Sequence, residues 1–101
     1  MNEKRMVVLE GSLIHSEQDF HNQISKLLNF GPYYGYNLDA LWDMISSGIG
    51  DFCYLRWVDS SFSKKTLGNE CFNTIISLFN EVKKNDAYIG KNDRGFDYSL
   101  E

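Results

Sequence analysis

Long apolar runs, paired cysteines and linkers are missing from this sequence. The apolar run nearest its start, residues 6–9 (MVVL), is too short for a signal-peptide core or a bilayer span, and no later run is long enough. Cys53 and Cys71 form no C-x-x-C motif, and we expect each to be a small buried side chain rather than half of a disulfide. These absences favour a cytoplasmic protein that enters no membrane.

Positive charge is also scarce. Ten Lys and Arg residues stand against 14 Asp and Glu residues, and the formal net charge is −4. Because an acidic surface repels phosphate, direct binding of RNA or DNA is disfavoured, and a basic protein is the better matched partner. His15 and His21 show no metal-ligand pattern, so we expect surface or boundary histidines around the first helix, and neither a metal nor a cofactor.

The sequence does contain alternating strand and helix patterns, within one expected domain over residues 1–101. The predicted strands are residues 6–9, covered on both faces, residues 52–57, and residues 96–100 at a sheet edge. The first predicted helix is capped by Ser16 and has an apolar stripe through Leu28. Three further helices are predicted at residues 38 to about 46, 60–66 and 71–84. Residues 86–95 are polar and are expected to be irregular. This order implies an α/β fold with a short three-stranded parallel sheet and about four helices.

A loop rich in tyrosine follows the first helix. Residues 31–37 read GPYYGYN, and Asn37 can cap the second helix. Tyr33, Tyr34 and Tyr36 have two explanations of about equal weight: they cover the core beneath a loop, or they form part of a binding hot spot. Composition does not separate the two.

The second helix places two carboxylates on one face. Asp39 and Asp43 are spaced i and i+4, well off the apolar arc, and Trp42 sits at the border of that arc. No Lys or Arg occurs between residues 31 and 55 to relieve their repulsion. Two ordinary explanations stay open: Asp39 favours the positive helix end, and Asp43 belongs to a solvated face. Glu81 projects opposite the apolar stripe of the last helix.

These residues carry a resemblance. Residues 33–43, YYGYNLDALWD, resemble the signature segment of the barstar family of ribonuclease inhibitors. Weaker likeness covers most of the chain, through Trp57, residues 79–81 (FNE) and residues 95–100 (GFDYSL). The chain differs from the family pattern at Tyr36, where the founding member is acidic, at Gly48, where the family has a second tryptophan, and at Asn85, where the family has an acid. It also has roughly ten extra residues before the last strand.

The resemblance implies a non-catalytic inhibitor, or immunity protein, that inserts its second helix and the preceding loop into a ribonuclease active site. The carboxylate of Asp43 would occupy the place of the substrate phosphate in a 1:1 complex. The other contact residues carried over from the family are Tyr33, Gly35, Asn37, Asp39, Trp42 and Glu81.

Two alternatives compete with that function. The same acidic surface could neutralise another basic toxin, such as a deoxyribonuclease. Alternatively, Asp39 and Asp43 could be the acid and base of a small hydrolase, which would require a cleft that pushes their pKa values apart.

Overall fold

Among the residues that the structure describes, three strands are separated by pairs of helices, in the predicted order. The computed structural model describes residues 5–46, 53–88 and 96–101, without the side chains of residues 85–88. The elements are β1 (Arg5–Glu10), a 3₁₀ turn (Gly11–Leu13), α1 (Glu17–Leu27), α2 (Leu38–Met44), β2 (Cys53–Val58), α3 (Ser60–Leu67), α4 (Asn69–Tyr88) and β3 (Asp97–Leu100). The α/β architecture with a three-stranded parallel sheet is confirmed.

β2 is the central strand of the sheet. Both of its neighbours run parallel to it, in the order β1-β2-β3, so β3 lies at an edge as predicted. Cys53, Leu55 and Trp57 are fully buried, and the residues between them are half-buried. This alternation shows that the helices cover one face of the sheet more completely than the other.

The prediction that both faces of β1 are covered is wrong. Only Leu9 is buried, while Met6 is 61% exposed. The register places Met6 beside Tyr54, on the face opposite Leu55, which is the side that the helices leave open. A continuous apolar run therefore forms a strand covered mainly on one face.

Trp57 is the centre of the aromatic core. Its indole stacks on Phe20 at 5.4 Å and lies 5.1 Å from the Phe72 ring, centroid to centroid. The indole N–H donates to the Ser63 hydroxyl at 3.0 Å, and that hydroxyl donates to the carbonyl of Gly11, also at 3.0 Å. The core thus joins β2, α1, α3 and α4 while its polar atoms keep partners.

Gly11 lets the end of β1 approach the end of β2. A Cβ atom at this position would lie 2.3 Å from the carbonyl oxygen of Val58 and 2.4 Å from that of Asp59. Because both neighbours are backbone atoms, no side-chain rotation could make room. Glycine is required here for close approach.

Two helix ends differ in detail from the prediction. Ser16 caps α1 by accepting the N–H of Asp19 at 3.2 Å, and the Asp19 carboxylate accepts the N–H of His15 at 2.9 Å. The capping pair is therefore present, displaced by one residue from the usual box. α4 continues to Tyr88 instead of ending at Lys84, since no Gly or Pro interrupts the chain before residue 90.

Some predicted features lie outside the described residues. These are the segment expected to end α2, the first residue of the second predicted strand and most of the irregular segment before β3, which correspond to residues 47–52 and 89–95. In the part of the chain that the structure describes, no helix has the length and apolar character needed to cross a bilayer.

Candidate partner-binding surface

α2 begins at a well-formed cap. The side chain of Asn37 accepts the N–H of Ala40 at 2.8 Å and donates to the carbonyl of Gly35 at 3.3 Å. A Cβ atom at Gly35 would lie 3.3 Å from the Asn37 amide nitrogen and 3.4 Å from the Ala40 side chain. The predicted contact residues Gly35 and Asn37 thus set the angle at which residues 31–37, called here the aromatic loop, enter α2.

The carboxylates of Asp39 and Asp43, called here the acidic face, both lie on the exposed side of α2. Leu41 is fully buried on the opposite side, as the helical spacing predicts. Among residues 5–46, 53–84 and 96–101, the salt bridges involve other carboxylates, and neither Asp39 nor Asp43 takes part in one. The acidic face therefore presents two like charges to solvent without a described cation beside them.

The aromatic loop and α2 also carry exposed aromatic rings. Tyr33 is 97% exposed and Trp42 is 37% exposed, which agrees with the border position predicted for Trp42. Large rings with this exposure beside unpaired carboxylates are typical of protein interfaces. Tyr34, in contrast, is buried, so the explanation that it covers the core holds for Tyr34. For Tyr33 and Tyr36 the binding hot spot stays a prediction.

Tyr34 is held by His21, which the sequence analysis placed wrongly. His21 is completely buried rather than at the surface or its boundary. Its Nδ1 lies 2.6 Å from the Tyr34 hydroxyl, and its Nε2 lies 2.9 Å from Oε2 of Glu17. A buried imidazole is tolerated because both ring nitrogens have partners.

One proton position in this buried contact follows from its acceptor. A carboxylate can only accept, so Nε2 of His21 carries the hydrogen toward Glu17. The second hydrogen bond joins Nδ1 of His21 to the Tyr34 hydroxyl. Burial, then the Glu17 carboxylate, raises the pKa of Tyr34, which keeps its hydroxyl protonated and able to donate. The aromatic loop is thus tied to α1 through its one buried tyrosine.

Glu17 also reaches α4. The Cys71 thiol donates to Oε1 of Glu17 at 3.7 Å. Burial, followed by the Glu17 charge, raises the pKa of Cys71 to about 11, so this thiol stays protonated near neutral pH. Both cysteines are thiols, as expected. Cys53 is fully buried as expected, whereas Cys71 is only half-buried.

Glu81 is exposed on α4, a helix that contacts α2. Two contacts on either side of it fix α4 to β3. Tyr98 donates to the Asn80 side chain at 2.6 Å, and Lys83 pairs with Asp97 at 2.9 Å. Since Lys83 is engaged with Asp97, Glu81 has no salt bridge among the side chains that the structure describes.

A two-carboxylate hydrolase would need a cleft that encloses Asp39 and Asp43. The grooves described on this surface are lined by other residues, one at the α3–α4 junction and one along α4: Glu17, Leu38, Leu67, Gly68, Asn69, Glu70, Cys71 and Thr74; and Ser77, Asn80, Glu81 and Lys84. Asp39 and Asp43 line neither.

The fold and this surface define a class: a small α/β domain whose second helix displays paired carboxylates beside exposed aromatic rings. The family model described as Barstar (barnase inhibitor) matches residues 4–101. The chain belongs to the Barstar family. It is also 29% identical over 75 residues, 74% of this chain and 72% of the relative, to a Bacillus subtilis (strain 168) protein called "Putative ribonuclease inhibitor YrdF".

The sequence analysis left Tyr36 open between covering the core and a binding hot spot, and did not include it among the contact residues carried over from the family. Tyr36 is 44% exposed. The pairing of Glu17 with His21 has an i, i+4 spacing that is visible in the sequence. The partner-binding roles of Tyr33, Gly35, Asn37, Asp39, Trp42, Asp43 and Glu81 stay predictions.

Proposed function

We propose that this protein is a non-catalytic inhibitor that blocks the active site of a ribonuclease with α2 and the aromatic loop. One observation carries the proposal: Asp39 and Asp43 are exposed on a helix and have no cationic partner among the described residues. Membership of the Barstar (barnase inhibitor) family supports it. The B. subtilis relative, which is named as a ribonuclease inhibitor, also supports it.

The mechanism is charge mimicry of RNA. A ribonuclease must hold a phosphate among preorganised positive groups, and these remain where they are when no substrate is bound. The carboxylate of Asp43 takes the place of that phosphate, while Asp39 and Glu81 face other cations of the same cleft. Opposite charges on the two surfaces also accelerate their encounter.

A short helix with a good cap suits this role. Asn37 fixes the first turn of α2, and buried Leu41 anchors the helix to the core, so the carboxylates meet the enzyme with little loss of conformational freedom. Tyr33 and Trp42 would then bury apolar surface around the charged centre. The complex has one inhibitor for each enzyme and needs no cofactor.

The biological role that follows is immunity. A cell that makes a ribonuclease toxin needs a cytoplasmic inhibitor that acts on any active enzyme left inside. The acidic composition suits a basic partner and opposes direct contact with RNA. The partner is therefore a basic ribonuclease rather than nucleic acid.

Inhibition of RNA cleavage tests the proposal directly. Barnase and a panel of other small basic bacterial ribonucleases would be titrated with wild-type protein, Asp43→Ala and Glu70→Ala. Glu70, exposed in the first turn of α4, controls for loss of one negative charge outside α2. We expect stoichiometric inhibition by the wild type and Glu70→Ala, and a loss of about a hundredfold or more for Asp43→Ala.

Two outcomes would contradict the proposal. If no enzyme of the panel is inhibited by the wild type, the function is wrong. If Asp43→Ala inhibits as well as Glu70→Ala, the protein is an inhibitor but the acidic face is not its contact.

A further inference from the structure

Tyr36 adopts a backbone conformation that its side chain does not favour. Its φ angle is +54°, in the left-handed region, where glycine and asparagine are common and a large side chain is strained. The chain places Asn29 in the same conformation at +56°. A tyrosine at such a position needs a reason other than the turn itself.

The Tyr36 ring is supported from below. Its centroid lies 5.1 Å from that of Tyr34, and Tyr34 in turn packs on Phe30 at 4.8 Å. Tyr34 is fixed further by its 2.6 Å contact with His21. The Tyr36 ring therefore rests on buried, hydrogen-bonded groups and not on a mobile part of the surface.

The ring is nevertheless not part of the core. Tyr36 is 44% exposed, whereas Tyr34 beneath it is 5% exposed. The contact with Tyr34 involves only the inner side of the Tyr36 ring. The outer side is left in water beside Asn37, the residue that begins α2 and its acidic face.

A rigid aromatic ring at the surface loses little freedom when a partner covers it. It also carries no charge, in a region where Asp39 and Asp43 already supply negative charge. A partner cation facing this position would be matched better by a carboxylate, so the ring selects a partner that is apolar here.

We propose that Tyr36 is a further contact residue that sets specificity, by packing on an apolar patch at the rim of the ribonuclease's cationic cleft. The proposal rests on the function proposed above. It adds a residue and a chemical requirement: the cognate enzyme must offer uncharged surface next to the groups that bind phosphate. Enzymes with a cation at that position would be bound less tightly.

The test compares two exposed aromatic residues. Tyr36→Asn removes the ring and keeps a residue suited to the left-handed backbone, without adding glycine's flexibility. Phe62→Asn removes a ring of similar exposure, 38%, from α3 outside the candidate surface. Tyr36→Phe keeps the ring without its hydroxyl, and Asp43→Ala reports on the acidic face.

Association and dissociation rates would be measured by surface plasmon resonance against barnase and the ribonuclease panel, with melting temperatures for each variant. We expect Tyr36→Asn to dissociate about tenfold faster, with association and its salt dependence unchanged because no charge is lost. Its melting temperature should shift by only a few degrees, since relief of backbone strain offsets the lost contact with Tyr34. Tyr36→Phe and Phe62→Asn should dissociate within about twofold of the wild type.

The outcomes separate this inference from the proposed function. If Asp43→Ala weakens binding but Tyr36→Asn dissociates like the wild type, the function stands and the inference is overturned, whatever the melting temperature. If the wild type binds no enzyme of the panel, or Asp43→Ala binds like the wild type, the proposed function fails and the inference fails with it.

Discussion

The molecule has two aromatic regions that differ in what surrounds them. Beneath the sheet, Trp57 is completely buried among Phe20, Phe72 and Phe79. On α2, Trp42 is 37% exposed beside two carboxylates. The Trp57 ring is enclosed by other side chains, whereas part of the Trp42 ring is open to another molecule.

Polar groups show the same difference. Among the described residues, every buried side-chain nitrogen and oxygen has a hydrogen-bond partner. His21, for example, contacts Tyr34 and Glu17. The two carboxylates of the acidic face have no salt bridge among the side chains that the structure describes. We therefore expect substitutions around Trp57 and His21 to lower stability most, and substitutions around α2 to affect the proposed binding most.

The largest expected effect separates the two tryptophans. Trp57→Ala should lower the free energy of unfolding by about 3–5 kcal/mol, because a large buried ring leaves a cavity among four elements. Trp42→Ala should cost no more than about half of that, since the ring is partly in water. Urea unfolding followed by circular dichroism would measure both, and equal losses would remove the distinction between the regions.

A medium effect is expected from two neighbouring tyrosines. Tyr34→Phe removes the hydroxyl that His21 contacts and leaves a buried ring nitrogen without a partner, which should cost about 1–3 kcal/mol. Tyr33→Phe, at a position 97% exposed, should change stability by less than about 0.5 kcal/mol. The same denaturant measurement applies. If Tyr34→Phe left the free energy of unfolding unchanged, the aromatic loop would not be held through His21.

The smallest effect concerns pH and an exposed ion pair between Arg56 of β2 and Glu101, outside α2. Glu101 accepts from Arg56 at 2.7 and 2.9 Å, and this hydrogen bonding, with a further one from Ser99, lowers the pKa of Glu101 to about 2. Because the pKa of Glu101 is lowered in the folded protein, its ionised carboxylate stabilises the fold at any pH above the ordinary carboxyl pKa. This stabilisation is lost as the pH falls from that value toward about 2. The pair is more than a third exposed, so the contribution is small and weakened by salt.

The urea midpoint difference between wild type and Glu101→Gln would be followed from pH 7 to pH 3. We expect the urea midpoint of the wild type to exceed that of Glu101→Gln by less and less as the pH is lowered. An advantage that grows at low pH would contradict the sign of the pKa change.

Much of the fold could be predicted because local signals agree with one another. The Ser16 cap, the stripe from Phe20 to Leu28 and the strand patterns each indicated the elements that the structure contains. The error at β1 has a different origin. A run of four apolar residues is compatible with a strand covered on one face and with a strand covered on both faces. Only the placement of the helices decides between the two.

His21 was missed although a signal was present. On a helical wheel of about 100° per residue, it lies about 20° from Leu28, next to the buried stripe. Its partner Tyr34 is 13 residues away, in a loop whose path cannot be read from periodicity. Burial of a histidine depends on such a distant partner, so the sequence alone could not show it.

The acidic face was predictable because it depends only on helical geometry. An i, i+4 spacing places Asp39 and Asp43 together whatever the rest of the fold does. The contribution of Glu81 could not be predicted in this way. Its position depends on how α4 is fixed to β3 through Asn80 and Lys83, which are tertiary contacts.

The most direct test of the account neutralises both carboxylates of α2 without changing their shape. In Asp39→Asn/Asp43→Asn, loss of the favourable charge at the helix start and relief of repulsion between the two acids nearly cancel, so unfolding free energy should stay within about 0.5 kcal/mol of the wild type. Inhibition of ribonuclease activity should nevertheless fall by a hundredfold or more. A double variant that still inhibits as strongly as the wild type would show that the negative charges of α2 do not bind the enzyme.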